Sequence, residues 1–334
     1  MKKLISFSFL AAAVLIASCG GGDSTAGFSQ TFTSSAAVGE VIDYTFDTSR
    51  NTYSYKVKIS EYGCDVPTSS CHTGSGTLTR NSDGSYTPSS APTTKVFAVQ
   101  NGLLVGTIQV APNLPTVPLV GVSNPATSGG DMAGTFNFIS FQCPTKATLQ
   151  FAGCQSHIGT VKVTSTGPTT ASYSTCESDD IDKSSPTCTS TTTGTMTYTG
   201  TSGVWEMVRT GATTKSYMVA LKASNGQKAG FIDFNDPGGY GYGQASVSSK
   251  VAFVQDDLRV NAGRWFFSNI SNGLTDIFDV ALDGSSSAGP AGTPNQPWDG
   301  IVSYPDGGRA ILAGTGLYIY TQPGRDKYIV GIKM

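Results

Sequence analysis

The chain has 334 residues, of which only 13% are charged, and a formal net charge of −2. So weak and slightly acidic a field offers a polyanion nothing, which excludes nucleic acid as an expected partner. Forty glycines and 10% aromatic residues, among many serines and threonines, favour strands and turns over helices.

Residues 1–18 follow the three-part plan of a secretory signal: charge on Lys2 and Lys3, an apolar run from Leu4 to Ile16, then small Ala17 and Ser18. The run is too short to span a bilayer. Its end, Ile16-Ala17-Ser18-Cys19, resembles the lipobox of bacterial lipoproteins. The resemblance covers the leader and Cys19 only, and it implies that Cys19 becomes diacylglycerol-modified and forms the new N-terminus. Residue 20 is Gly and not Asp, which in this class implies passage to the outer membrane. The expected membrane partner is therefore reached through lipid on Cys19, without a transmembrane helix. Gly20 to Thr25 lack apolar surface and open a flexible tether, expected over residues 19–39.

Two later segments share short patterns in the same order. Thr52-Tyr53-Ser54-Tyr55 matches Thr135-Phe136-Asn137-Phe138, each aromatic on alternate positions, as in a strand burying one face. Gly76-Thr77-Leu78 follows Cys71 as Gly159-Thr160-Val161 follows Cys154. Ser85-Tyr86-Thr87 and Ser172-Tyr173-Ser174 come next. Asn101-Gly102 and Asn225-Gly226, between apolar runs, are hairpin signals with identical downstream glycine and isoleucine spacing. This ordered set predicts a duplicated β-meander: a first β unit over 40–111, a Pro/Gly-rich linker over 112–130, and a second unit within 131–334. The second copy is longer, with a Cys176 to Cys188 loop and an extra hairpin around Gly194 to Glu206. Gly316 to Tyr320 and Lys327 to Ile332 read as two closing strands of a C-terminal β extension.

Six cysteines besides Cys19 fall into neighbouring couples, Cys64 with Cys71, Cys143 with Cys154, and Cys176 with Cys188. Local disulfides in an exported chain are the simplest of the possible pairings. None of the couples has zinc-type spacing, and no metal or cofactor is expected. The two histidines, His72 and His157, read as loop residues inherited with the duplication, and the acidic group Glu177, Asp179, Asp180 and Asp182 as a solvated loop. No GxSxG elbow, HExxH helix or phosphate loop nominates a catalytic residue. Tyr240 and Tyr242 alternate with glycines, and with Trp265, and with Trp205 and Trp298, they are candidates for a stacking platform for a glycan. The competing expectation is that these rings pack inside a sheet.

The fold expected is all-β: two related antiparallel units of barrel or sandwich type, with the C-terminal extension. The plan is similar to that of lipid-tethered surface proteins of Gram-negative bacteria. The function expected is a non-enzymatic envelope or surface binding role toward a glycan or protein partner. The alternatives are a hydrolase of envelope polysaccharide and a structural component of an envelope assembly.

Overall fold

A computed structural model of the protein describes residues 27–36, 41–59, 73–89, 96–99, 102–109, 116–143, 155–200, 203–213, 215–223, 226–236, 239–246, 263–269, 275–280, 292–313, 316–323 and 328–333. Among these, strands dominate and the one helix is a single turn. The first eight strands are β1 (Ser29–Ala36), β2 (Val41–Asp47), β3 (Thr52–Ile59), β4 (Thr73–Arg80), β5 (Tyr86–Pro88), β6 (Val96–Val99), β7 (Leu103–Gln109) and β8 (Thr116–Val122). Each pairs antiparallel with the next, and β1 pairs back onto β8 through Thr33 to Ala36 against Val122 to Leu119, which closes a barrel.

A one-turn helix, α1 (Gly129–Met132), follows, capped by the Ser128 hydroxyl accepting from the Asp131 amide at 3.1 Å. Then come β9 (Gly134–Cys143), β10 (Gln155–Gly167), β11 (Thr170–Glu177), β12 (Thr191–Tyr198), β13 (Val204–Arg209), β14 (Lys215–Lys222), β15 (Lys228–Asp236) and β16 (Gly239–Ser246). These form a second eight-stranded barrel, closed by β16 against β9. The duplication is visible in the strands, because the shared landmarks map β3, β4, β5 and β7 onto β9, β10, β11 and β15. The two copies reach eight strands differently. The first adds the leading hairpin β1–β2, and the second inserts the hairpin β12–β13, as its extra length predicts.

Two strands lie where the sequence reading expected none. β1 falls in the stretch assigned to the tether and β8 in the stretch assigned to the linker. Both are required for closure, which leaves the first barrel no free edge at this seam. Pro118 in β8 pairs with Thr107 of β7, but β1 reaches β8 only from Leu119 onward. A residue without an N–H is tolerated where one side of the strand is unpaired.

The remaining strands are β17 (Gly263–Asn269), β18 (Thr275–Val280), β19 (Thr293–Pro294), β20 (Ile301–Ser303), β21 (Arg309–Ala313), β22 (Leu317–Thr321) and β23 (Tyr328–Lys333), in the order β18-β17-β23-β22-β21-β20-β19. The last two are the predicted closing strands, and β23 lies in mid-sheet between β22 and β17.

Strand alternation divides the core into layers. Phe32, Ile42, Tyr44, Phe46, Leu104 and Leu119 fill the first barrel, and Phe136, Val161, Met196, Trp205, Met218 and Ala220 fill the second, with Met132 of α1 among them. The intervening residues, including Leu103, Val105, Val120, Ile139, Val219, Leu221 and Phe231, join Ile301, Ile311, Leu317, Ile319 and Val330 of the third sheet in one further layer outside both barrels. Continuous apolar runs such as Leu103-Leu104-Val105 and Met218-Val219-Ala220-Leu221 follow from this, since both faces of those strands are buried.

Candidate functional site

The second barrel is apolar at one end and polar at the other. At the α1 end, Trp205 is fully buried and donates through Nε1 to the Ala126 carbonyl at 2.8 Å. At the opposite end, the positions in phase with the interior carry Ser140 on β9, His157 on β10 and Glu177 on β11. The phase is set by the register: His157 pairs with Ser140, two positions on from Phe138, and Glu177 lies two positions beyond Thr175 and four beyond Tyr173. His157 Nδ1 and Glu177 Oε1 are 2.7 Å apart, with side chains 28% and 25% exposed. Because an ionised carboxylate only accepts, this contact puts a proton on Nδ1, and in the neutral ring Nε2 then carries the lone pair. Ser140, by contrast, is buried, and its Oγ has no hydrogen-bond partner. On its other side it pairs with Gly243, so bare backbone flanks it there.

Glu177 is held by the structure that follows it. Cys176, one position earlier and therefore on the outer phase, is bonded to Cys188 with a Cα separation of 5.0 Å. The chain turns at Ser178, whose φ of 66° is left-handed, and folds back over the outside of β10. There the Thr160 hydroxyl donates to the Asp179 carbonyl at 3.0 Å and accepts from the Ile181 amide at 2.7 Å. The Asp179 carboxylate accepts from Lys183, from the Thr187 amide at 2.7 Å and from the Asp180 amide at 2.9 Å. The Lys183 contact, then these amides, hold its carboxyl well below the usual carboxylate range. Lys162 Nζ reaches Asp182 at 3.0 Å. The loop is exposed from Lys183 to Thr187, as expected, but Asp179 is buried and supplies acceptors to the loop's own amides, which ties the loop into a bonded knot. His157, expected in a loop, lies on a strand.

No protein-family model matches the chain, and no curated protein is significantly similar to it in sequence.

The candidates from sequence fare unequally. The pairing of Cys176 with Cys188 is the local one expected. Cys19, Cys64, Cys71, Cys154 and His72 lie outside the described residues, as does the side chain of Cys143. Tyr240 and Tyr242 sit on β16 of the second barrel and Trp265 on β17 of the third sheet, with side chains outside the described part. Trp205 is a core residue of the second barrel, and Trp298 is buried in the shared layer, donating to Asn137 Oδ1 at 2.8 Å. Neither serves an exposed platform, because an indole buried with its N–H satisfied has nothing left to offer a ligand. Ser140 and Glu177 were not singled out as partners of His157. The one available signal was phase, since Ser140 continues the Phe136, Phe138 alternation as a polar residue on an otherwise apolar face.

Proposed function

We propose that the chain is a lipid-anchored protein of the bacterial envelope, carried on Cys19 and destined for the outer membrane, whose β body has a non-enzymatic binding role toward a glycan or a protein. The observation that carries this reading is the signal-like leader ending in Ile16-Ala17-Ser18-Cys19, with a glycine-rich spacer between Cys19 and a first strand that opens at Ser29. Acyl chains on that cysteine bury enough methylenes to hold a folded body at a membrane. A body of closed barrels joined by one apolar layer suits a rigid presentation scaffold.

The test is growth with an alkyne-tagged fatty acid, followed by fractionation. The full-length chain should incorporate the tag and sediment with membranes, whereas Cys19→Ser should lose both properties. Equal labelling of the variant sinks the anchor. For the binding role, the detergent-solubilised chain is incubated with insoluble envelope polysaccharide and with envelope protein. Retention without release of reducing ends supports binding.

The His157–Glu177 pair favours a second reading, a hydrolase acting on envelope material, because a histidine oriented by a carboxylate is the usual form of a general base. Release of reducing ends in the same incubation would put the polysaccharide hydrolase first.

A further inference from the structure

Ser140, His157 and Glu177 stand on three neighbouring strands in the order nucleophile, base, acid. Ser140 and His157 are directly opposed across an antiparallel pair, an arrangement in which Cβ atoms lie about 4.5–5.5 Å apart. The 2.7 Å contact with Glu177 fixes the ring and leaves the other ring nitrogen as the proton acceptor. Ser140 Oγ is buried without a partner, as are the Ser35, Tyr44 and Ser123 hydroxyls, so the bond to His157 has to form when substrate binds; what sets Ser140 apart is the histidine directly opposite it. A hydroxyl so placed costs about 1–3 kcal/mol of desolvation, and alanine would fill the position without that penalty. The glycine phase of β16, with Gly243 beside Ser140 and Gly241 next, keeps side chains away from one flank of the hydroxyl.

We infer that Ser140 is a nucleophile for carboxylic esters, with His157 as its base and Glu177 as the positioning residue. In the step, the Ser140 oxygen bonds to the acyl carbon and the bond from that carbon to the leaving alcohol breaks. The serine proton passes to His157 Nε2 and then to the departing alkoxide. The products are an acyl-serine and a free alcohol, with no oxidant or reductant involved. This builds on the second, hydrolase reading and would replace the non-enzymatic role of the first, while the anchor on Cys19 stands or falls separately, since the reaction requires no lipid there. The disulfide and the Asp179 knot acquire a role here: they hold the backbone that leads away from Glu177.

The experiment treats the detergent-solubilised full chain with a fluorophosphonate probe, whose phosphorus forms a bond to a reactive serine oxygen as fluoride leaves. Peptide mass mapping should find the adduct on Ser140, and Ser140→Ala should abolish it. His157→Gln should slow labelling by about 10²- to 10⁴-fold, and Glu177→Gln should slow it by a smaller factor. Ser156→Ala is the control. Its hydroxyl points to the opposite face and donates to the Gln322 carbonyl at 2.7 Å, so labelling should be unchanged. An unlabelled wild-type chain, an adduct elsewhere, or equal labelling of Ser140→Ala with a wild-type circular dichroism spectrum overturns the assignment.

Discussion

The two barrels have the same number of strands and share landmarks, yet they are filled differently. The first is sealed with rings: Tyr44 stacks on Tyr53 at 5.7 Å, and Phe46 meets Tyr86 edge-on at 5.0 Å. In the second, Trp205 and methionines occupy one end, and Ser140, His157 and Glu177 take the other. The difference tracks what the second copy added. Cys176, Cys188 and the acidic knot have no described counterpart in the first barrel, and they sit at the polar end. Duplication followed by insertion leaves one copy as scaffold and frees the other to carry polar groups.

The largest test of that division concerns the cores. Trp205→Ala and Phe46→Ala should each lower stability by about 3–5 kcal/mol, read by urea denaturation with far-UV circular dichroism. Because the outer faces of both barrels share a layer with the third sheet, each variant should unfold in one cooperative transition. Two separated transitions would show that the barrels are energetically independent. Next in size, replacing Cys176 and Cys188 together by serine removes a cross-link of separation 12, worth about 2–3 kcal/mol by chain entropy. If the loop's role is to fix Glu177, this variant should also slow any reaction at Ser140 more than its stability loss explains. An unchanged rate would confine the disulfide to stability.

What could be read from the sequence was local. The glycines of both Asn-Gly signals take the left-handed conformation, Gly102 at φ 82° and Gly226 at φ 83°, the inserted hairpin is β12–β13, and the Cys176 partner is the near one. Closure was not legible. Ser29–Ala36 is mostly serine and threonine, with Phe32 its one large side chain, and Thr116–Val122 contains a proline. Nothing within either stretch reveals that a barrel needs it, because the need arises from strands far along the chain. The polar end was hidden for the same reason. Ser140 and His157 are neighbours only through the β9–β10 register, and Glu177 joins them only through the β10–β11 register.

A smaller and conditional effect separates the barrels in acid. The Asp179 carboxyl is held below the usual carboxylate range by Lys183 and the loop amides, so its ionised form stabilises the fold above that range, and the contribution disappears as pH falls through the lowered value. Asp179→Asn should therefore be less stable than wild type near neutrality, with the gap closing as pH drops below about 4. Urea midpoints measured against pH check this, and a gap independent of pH would refute it. Asp47 of the first barrel, lowered chiefly by the Ser49 hydroxyl, acts in the same direction. The acid response of an Asp179→Asn chain should accordingly be reduced but not removed.

The smallest effect discriminates best between scaffold and site. Among the described residues four buried hydroxyls have no partner, Ser35 on β1, Tyr44 on β2, Ser123 just after β8 and Ser140 on β9, and Tyr44 and Ser140 make the comparison between the barrels. Tyr44 is surrounded by rings, and burial pushes its phenol well above its ordinary range, so no neighbour makes use of its proton. Removing that oxygen in Tyr44→Phe deletes an unsatisfied group at nearly constant shape and should raise stability by up to about 1 kcal/mol with no change in any chemistry at the polar end. Ser140→Ala relieves the same kind of penalty and should also stabilise slightly, but at the loss of probe labelling. A thermal melt of the two variants beside their labelling therefore asks one question of both barrels. If both gain stability and only Ser140→Ala loses reactivity, the unpaired oxygen of the second barrel is retained for chemistry. If Ser140→Ala instead loses stability and labelling of the wild-type chain is absent, the hydroxyl is satisfied in solution and its place in the polar end is structural.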